Sequence, residues 1–525
     1  MTISEQVSPK ASHQIEANGL SLSAPGRVPL PVDAQHLPKP PSVSERYAYL
    51  KPPKFWAVWG IFAYLCLLFS SCRFLWETHF WWFAAYVVLM TVWTLPHFVF
   101  VLASKDFSLE EHTQTVSECL PQGNPQSVDI FITTCGEDPQ VIENTFYHAS
   151  QLTYHPRQIY VLDDGASPEV KELAQKYGFI YLSRPNRGYL KKAGNLLYGY
   201  QQTWGNFILV LDADFAVAPC ALEHMIPWVM RDSKIAILQT PQYFDFTPNL
   251  PWPALGAAYC QEAFYRAIQP ARDYLGNSAI CVGTNALYRR EALEQIGGFY
   301  QVPASEDVHN GVALINAGWK IKYIPILLAR GLCPESAQAL FKQHYRWCSG
   351  SMRLITSQFF WKGQMPLWQK LIYLCGVCYY PAMALSLLVT MVKLWAVVWY
   401  LHEDIRRYMV FLFVPKILLM YLIMPFWNQS RWGLHSIKVP VTFCWAYLIA
   451  IWDFLRQQTE GWIPSGSKEV SLRYLGFRQS LAIYSMVHVL LLLPIVSYDW
   501  HHFLPIIGGH CFAIFIALDI LMSDP

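Results

Sequence analysis

The sequence has 525 residues, 53% of them hydrophobic and only 14% charged, with a formal net charge of +2. Soluble domains average about 25% charged residues, so the composition argues against an ordinary soluble protein and for one in contact with a membrane. With so small a net charge and no basic run interleaved with aromatics, nucleic-acid binding is excluded. The thirteen cysteines are scattered. The close pair Cys375 and Cys378 sits at helical i,i+3 spacing in an apolar stretch, which reads as membrane-helix packing rather than a metal or redox site. Free thiols fit a chain whose soluble part faces a reducing cytosol.

Residues 1–50 are rich in Ser, Pro, Ala and Gln and lack the apolar core of a signal peptide. They read as a disordered cytosolic tail. Lys51 and Lys54 precede an apolar span at 55–76, and Glu77-Thr78-His79 turns into a second at 80–103. Residues 51–104 are thus two transmembrane helices of near-bilayer length. The basic residues ahead of the first span put the N-terminus inside.

Residues 105–335 have no comparable apolar stretch and read as a soluble α/β domain. Strands are expected at 128–134, 158–162, 179–182 and 206–212, with helices at 137–151, 168–177 and 191–202. This alternation predicts a mostly parallel sheet with helices on both faces, and ligands in such sheets bind at the carboxyl ends of the strands. Two acidic pairs fall there: Asp163-Asp164 before Gly165, and Asp212 with Asp214 after the run Phe207–Leu211. Asp212 and Asp214 lie two apart, on one side of an extended chain, and their charges repel unless a cation sits between them. Carboxylates plus substrate phosphates are a common Mg²⁺ environment. A strand that simply ends in a solvated acidic turn would have the same sequence.

Further pieces follow in order. Lys191-Lys192-Ala193-Gly194-Asn195 opens a helix and offers a cation and helix-start amides to phosphate. Gly283-Thr284-Asn285 precedes Arg289-Arg290. Ser305-Glu306-Asp307 starts a helix, where either acid could merely serve as a cap. Residues 336–367, with Gln343-His344-Tyr345-Arg346-Trp347, read as interfacial helices. Residues 368–525 form a second membrane bundle, with apolar stretches at 368–401, 408–427, 437–455, 480–496 and 503–522. The basic residues Arg431, Lys438, Arg456, Lys468, Arg473 and Arg478 place both 428–438 and 456–478 in the cytosol. That requires 437–455 to lie along the membrane, leaving four spans in this bundle.

The order Asp-Asp-Gly, Lys-Ala-Gly-Asn, Asp-Ala-Asp, an acidic triplet and Gln-x-x-Arg-Trp, set between membrane spans, resembles processive family-2 glycosyltransferases, and most of all cellulose synthase catalytic subunits. The resemblance covers about residues 50–525. It implies a cytosolic GT-A-type domain inserted in a transmembrane bundle, in the plasma or inner membrane. It implies that glucose from UDP-glucose is added to a growing polysaccharide acceptor as an inverted β-glucan, which then crosses the bilayer. By resemblance, Asp163 and Asp164 hold the uridine, and Asp212 and Asp214 hold Mg²⁺ or Mn²⁺ on the diphosphate with Lys192 beside it. Asp307, with Glu306 next to it, is the general base. Gly283, Thr284 and Asn285 line the acceptor site, and Gln343, Arg346 and Trp347 stand at the mouth of the polymer channel.

Several features depart from the pattern. The triplet is Ser-Glu-Asp rather than Thr-Glu-Asp, His344 replaces an Arg, and Trp462–Lys468 stands where the family's gating loop is expected. A β-1,4 linkage leads, while β-1,3 or mixed linkage, UDP-N-acetylglucosamine or GDP-mannose as donor, and a non-catalytic export scaffold remain open. An accessory export subunit is a possible partner. The sequence ends three residues after Met522, so control through an appended cyclic-di-GMP barrel is not expected.

Overall fold

The computed structural model describes residues 37–120, 125–401, 403–459, 471–499 and 503–523. The gating-type segment 462–468 lies outside them. The chain forms two compact units. The first joins the chain up to Pro52 with Lys105–Phe244 and Ala279–Leu332; the second takes Pro53–Ser104, Asp245–Ser278 and Cys333 onward.

The first unit is α/β. Its main sheet contains β1 (Val128–Thr134), β2 (Arg157–Asp163), β3 (Ile180–Leu182), β4 (Phe207–Asp212), β6 (Ile235–Gln239), β8 (Ala286–Arg289) and β9 (Lys320–Tyr323), in the order β3-β2-β1-β4-β8-β6-β9. All seven residues of β1 are buried. This is the pattern of a strand covered on both faces, not of one alternating between core and water. The expected sheet is present but mixed: β8 runs antiparallel to both β4 and β6. A smaller sheet, β5-β10-β7, is built from β5 (Phe215–Val217), β7 (Tyr243–Phe244) and β10 (Ala329–Gly331).

Residues 37–50 correct the reading of a wholly disordered tail. They form a strap on this unit, carrying the short helix Val43–Arg46. Ser42 and Glu45 make a reciprocal capping box at its start. Glu45 pairs with Arg330 of β10, Leu327 N–H donates to Arg46 O at 2.9 Å, and Tyr49 sits edge-on to Tyr243 at 6.0 Å.

Among the described residues the second unit holds seven helices long and apolar enough to cross a membrane. These are Lys54–Thr78, Phe83–Ala103, Leu367–Tyr400, Tyr408–Phe426, His435–Leu455, Leu472–Ser497 and Leu504–Met522. The stretch expected to lie along the membrane is the helix His435–Leu455. Of the seven it is the most enclosed, with 56% of its apolar window buried against 33% or less in the others. The expected soluble domain 105–335 is also corrected, because residues 245–278 belong to the second unit. The reason is local: the helix Trp252–Ala263 packs on His435–Leu455 so closely that a Cβ on Gly256 would lie 2.5 Å from His435 O.

Candidate active site

Three strands of the first unit end side by side. Thr134 of β1 is in register with Asp163 of β2, and Thr133 with Asp212 of β4. The chain moves from β1 to β2 on one side and reaches β4 on the other, so the carboxyl edge between β1 and β4 is the switch point where ligands of such sheets bind. Thr133 Oγ1 donates to Asp212 Oδ1 across that edge at 3.2 Å.

Asp163 and Asp164 are buried, and their oxygens are engaged within the protein. Asp163 accepts from Gly165 N–H at 2.9 Å, Ser167 N–H at 2.7 Å and the Tyr181 hydroxyl at 2.9 Å. Asp164 is gripped by both arms of Arg184, Nε to Oδ1 at 2.6 Å and Nη2 to Oδ2 at 2.9 Å, and accepts from Gly188 N–H. Arg184 also donates to the carbonyls of Tyr189 at 2.6 Å and Lys191 at 3.1 Å. Those bonds fix a turn in which Leu190 and Lys191 both hold φ near +50°, a conformation that costs about 1–2 kcal/mol per residue. Sequence reasoning gave the two aspartates a direct hold on the nucleotide. In the structure they shape the loop that leads into the helix Lys191–Gln201.

Lys192, in the first turn of that helix, bonds to Asp212 Oδ1 and donates to Gly283 O at 2.9 Å. Burial alone would lower its pKa, but Asp212, Glu306 and Asp307 outweigh burial and hold the ammonium above its ordinary range. Asp214 lies in the turn between β4 and β5. Burial first, then the charges of Asp212 and Glu137, push its carboxyl up to about 8. Such crowding is what a divalent cation relieves. Among the described residues no three His, Cys, Asp or Glu side chains converge into a closed metal cage. The donor set is therefore two hard oxygen donors with the rest left open, which fits an ion completed by substrate phosphates and water.

Gly283, Thr284 and Asn285 are held by Gln239. Its Nε2 donates to Thr284 O at 2.9 Å, and its Oε1 accepts from Val282 N–H at 3.0 Å. Thr284 Oγ1 in turn accepts from Asp212 N–H at 2.9 Å. Asn285, at φ +53°, buries an amide with no partner among the described residues. Gly283 has φ +81°, and a Cβ there would lie 3.1 Å from Asp307 Oδ2. Only glycine suits both the backbone and the space. Asp307 lies in the first turn of the helix Glu306–Asn316 and accepts from Val308 N–H at 2.8 Å. Burial, then Glu306, pushes its carboxyl up to about 7. The structure thus brings Asp212, Asp214, Lys192, Gly283, Thr284, Glu306 and Asp307 together at one place.

The family model Glycosyltransferase like family 2 matches residues 125–350. Those residues form a glycosyltransferase family 2 domain. Cellulose synthase 1 catalytic subunit (UDP-forming) of Komagataeibacter xylinus is 35% identical over 236 residues, 43% of this chain and 31% of that protein. The cellulose synthase catalytic subunit (UDP-forming) of Pseudomonas fluorescens is 33% identical over 239 residues, 43% of this chain and 31% of that one. The match therefore spans about a third of each relative. Among solved structures, mannosyltransferase PcManGT from Pyrobaculum calidifontis, in complex with GDP-Man and Mn²⁺, aligns at a TM-score of 0.47 and 15% identity, over 70% of this chain and 99% of that one.

The glycosyltransferase domain contains residues that sequence reasoning missed. Thr133 and Glu137 follow from the first strand: both lie at its carboxyl end, the position singled out for Asp163 and Asp212. Glu137 Oε2 accepts from Cys135 N–H at 2.6 Å, and burial raises its pKa. Arg184 gives no sequence signal beyond a single cation two residues past β3.

Gln343, Arg346 and Trp347 share the helix Ala337–Thr356 of the second unit, at the i, i+3, i+4 spacing that shares a face. His344, at the family's Arg position, is buried with Nδ1 2.7 Å from the Tyr447 hydroxyl. Burial lowers its pKa to about 3, so a neutral ring stands where the family carries a permanent cation.

Proposed function

We propose that this protein is a processive, inverting glycosyltransferase that polymerises glucose from UDP-glucose into a β-glucan, with β-1,4 linkage favoured, and passes the chain through its own membrane bundle. The observation that carries this reading is the pairing of Lys192 with Asp212 and Gly283 while Asp307 abuts Gly283. A donor site and a basic carboxylate then lie side by side.

Asp163 and Asp164 act on the uridine through the loop they hold. Asp212 and Asp214 would hold Mg²⁺ or Mn²⁺, whose charge offsets that building on the departing diphosphate. Lys192 holds Asp212 in place. Asp307 accepts the proton of the acceptor hydroxyl as its oxygen bonds to the sugar C1. The C1–O bond to the diphosphate breaks on the opposite face, UDP leaves, and α becomes β. Gly283, Thr284 and Asn285 line the acceptor side. In the second unit, Arg346 offers a planar donor fork to pyrophosphate, and Gln343 and Trp347 meet the terminal sugar at the channel mouth.

The N-terminus and the catalytic domain face the cytosol of a plasma or inner membrane, following Lys51 and Lys54. The basic residues on both sides of His435–Leu455 favour six crossings with that helix along the membrane. The test uses purified protein in nanodiscs with labelled UDP-glucose, UDP-N-acetylglucosamine and GDP-mannose offered separately. Polymer from UDP-glucose alone, lost on chelation, supports the reading, and linkage-specific glucanases then name the bond. Polymer from another donor alone overturns the glucan assignment; no polymer from any donor returns weight to an export scaffold.

A further inference from the structure

The antiparallel strand β8 brings its beginning, not its end, to the edge where β4 and β6 finish. Ala286, its first residue, is in register with Val210 of β4 and with Gln239 of β6. The turn 282–285 that leads into β8 therefore lies beside the last residues of both neighbours. β6 stops at Gln239, and Pro241 has no N–H with which to continue the ladder. The segment Gln239-Thr240-Pro241-Gln242 turns onto residues 282–285 instead.

Gln239 is wholly buried, and its carboxamide closes around Gly283. Oε1 accepts from Val282 N–H at 3.0 Å, one residue before the glycine, and Nε2 donates to Thr284 O at 2.9 Å, one residue after it. Nε2 also donates to Thr240 O at 2.8 Å. The network dictates which way the amide points, because a flipped group would set oxygen against carbonyls and NH₂ against an N–H. Two neighbours reinforce the clasp: Thr240 Oγ1 donates to Asn285 O at 3.1 Å, and Gln242 Nε2 to Val282 O at 3.0 Å.

The clasped turn touches both sides of the candidate active site. Gly283 O accepts from Lys192 Nζ at 2.9 Å, and Thr284 Oγ1 accepts from Asp212 N–H at 2.9 Å. Gly283, at φ +81°, lies so near Asp307 that a Cβ would come within 3.1 Å of its Oδ2. We propose that Gln239 is a positioning residue for glycosyl transfer: by pinning the turn on either side of Gly283, it sets the spacing between Asp307 and the donor site at Asp212 and Lys192. This rests on the reaction proposed above, with Asp307 as its base. A misplacement of about 1 Å is enough to cost about 10²-fold in rate. Asp212 and Lys192 keep their own anchors on β4 and on the helix Lys191–Gln201, so loss of the clasp should spare donor binding and slow transfer.

The test uses the full-length protein in nanodiscs. Q239M keeps the length of the side chain and removes all its hydrogen bonds. Calorimetry with UDP and Mn²⁺ counts the folded donor sites, and synthesis from UDP-glucose is expressed per site, so unfolded protein does not enter the rate. The expected result is turnover per site at least tenfold below the parent, with UDP affinity and the KM for UDP-glucose within about twofold. T240V, which removes a single bond to the turn, should lose about threefold with the same split, and it decides the matter where Q239M does not fold. Unchanged turnover per site, fewer sites at parental turnover, or a raised KM with kcat intact overturns the proposal. A parent that makes no polymer from UDP-glucose would sink the reaction itself and this inference with it. An active parent with indifferent variants would sink only this inference.

Discussion

Arg184 holds Asp164 through two parallel bonds, 2.6 Å and 2.9 Å long, with both side chains withdrawn from water. The same guanidinium ties down the carbonyls of Tyr189 and Lys191, so one side chain anchors an aspartate and the strained turn that delivers Lys192 to Asp212. Removing one partner of a buried pair leaves an uncompensated charge, at about 3–5 kcal/mol. Arg184→Gln should therefore lower domain stability by that order in denaturant titration. Arg184→Lys should recover part of it but not the fork geometry, leaving the KM for the nucleotide sugar raised.

Asp307→Asn removes the proposed proton acceptor while keeping the shape of the helix start. Turnover should fall by about 10²–10⁴-fold, with UDP affinity by calorimetry within about twofold of the parent. An equal loss of UDP affinity would assign Asp307 to binding instead of chemistry.

The pH profile should follow the same residue. Burial and then Glu306 raise the Asp307 carboxyl to about 7. It is ionised and able to accept a proton above that value and loses this ability as pH falls through it. The acid limb of kcat/KM is expected near pH 7. Glu306→Gln removes a charge that raises Asp307, so the limb should move to lower pH; a limb that stays in place would mean that another group limits the rate.

Gly283→Ala would force a side chain into φ +81° and place its Cβ 3.1 Å from Asp307 Oδ2. The backbone cost is about 1–2 kcal/mol. Synthesis rate should drop at least tenfold while the sheet folds, seen as an unchanged far-UV spectrum with a lowered melting temperature.

A buried stack of His112, His224 and Trp228 should make the first unit acid-sensitive. His112 Nε2 is 2.8 Å from His224 Nδ1, and Trp228 Nε1 donates to His112 Nδ1 at 2.9 Å. Burial lowers His112 to about 4 and His224 well below its ordinary value. The unfolded chain takes up these protons from pH 6.5 downward and the folded one does not, so stability is full above 6.5 and falls toward pH 4. His112 alone contributes on the order of 3 kcal/mol to that loss. Denaturation midpoints measured between pH 7.5 and 5 should fall, and less so in His112→Gln.

Alternating strand and helix signals located β1, β2 and β4, and with them the edge where Asp163, Asp164 and Asp212 gather. Periodicity carries no strand direction, which is why the antiparallel insertion of β8 beside β4 was not legible. Residues 245–278 carry enough polar groups to resemble a soluble segment, and only the close approach of Gly256 to His435 reveals where they pack. The roles of Asp163 and Asp164 depended on partners distant in sequence, Tyr181 and Arg184, whose contacts no local pattern encodes. Composition likewise gave residues 37–50 no reason to be ordered; Arg330 and Tyr243 supply it.

The strap also sets a timetable for synthesis. Glu45 leaves the ribosome 285 residues before its partner Arg330. At about 5–20 residues per second, that gap is on the order of 15–60 seconds. In that time both helices between Lys54 and Ala103 have been synthesised. The strap therefore closes on β10 only after both of those helices have been synthesised.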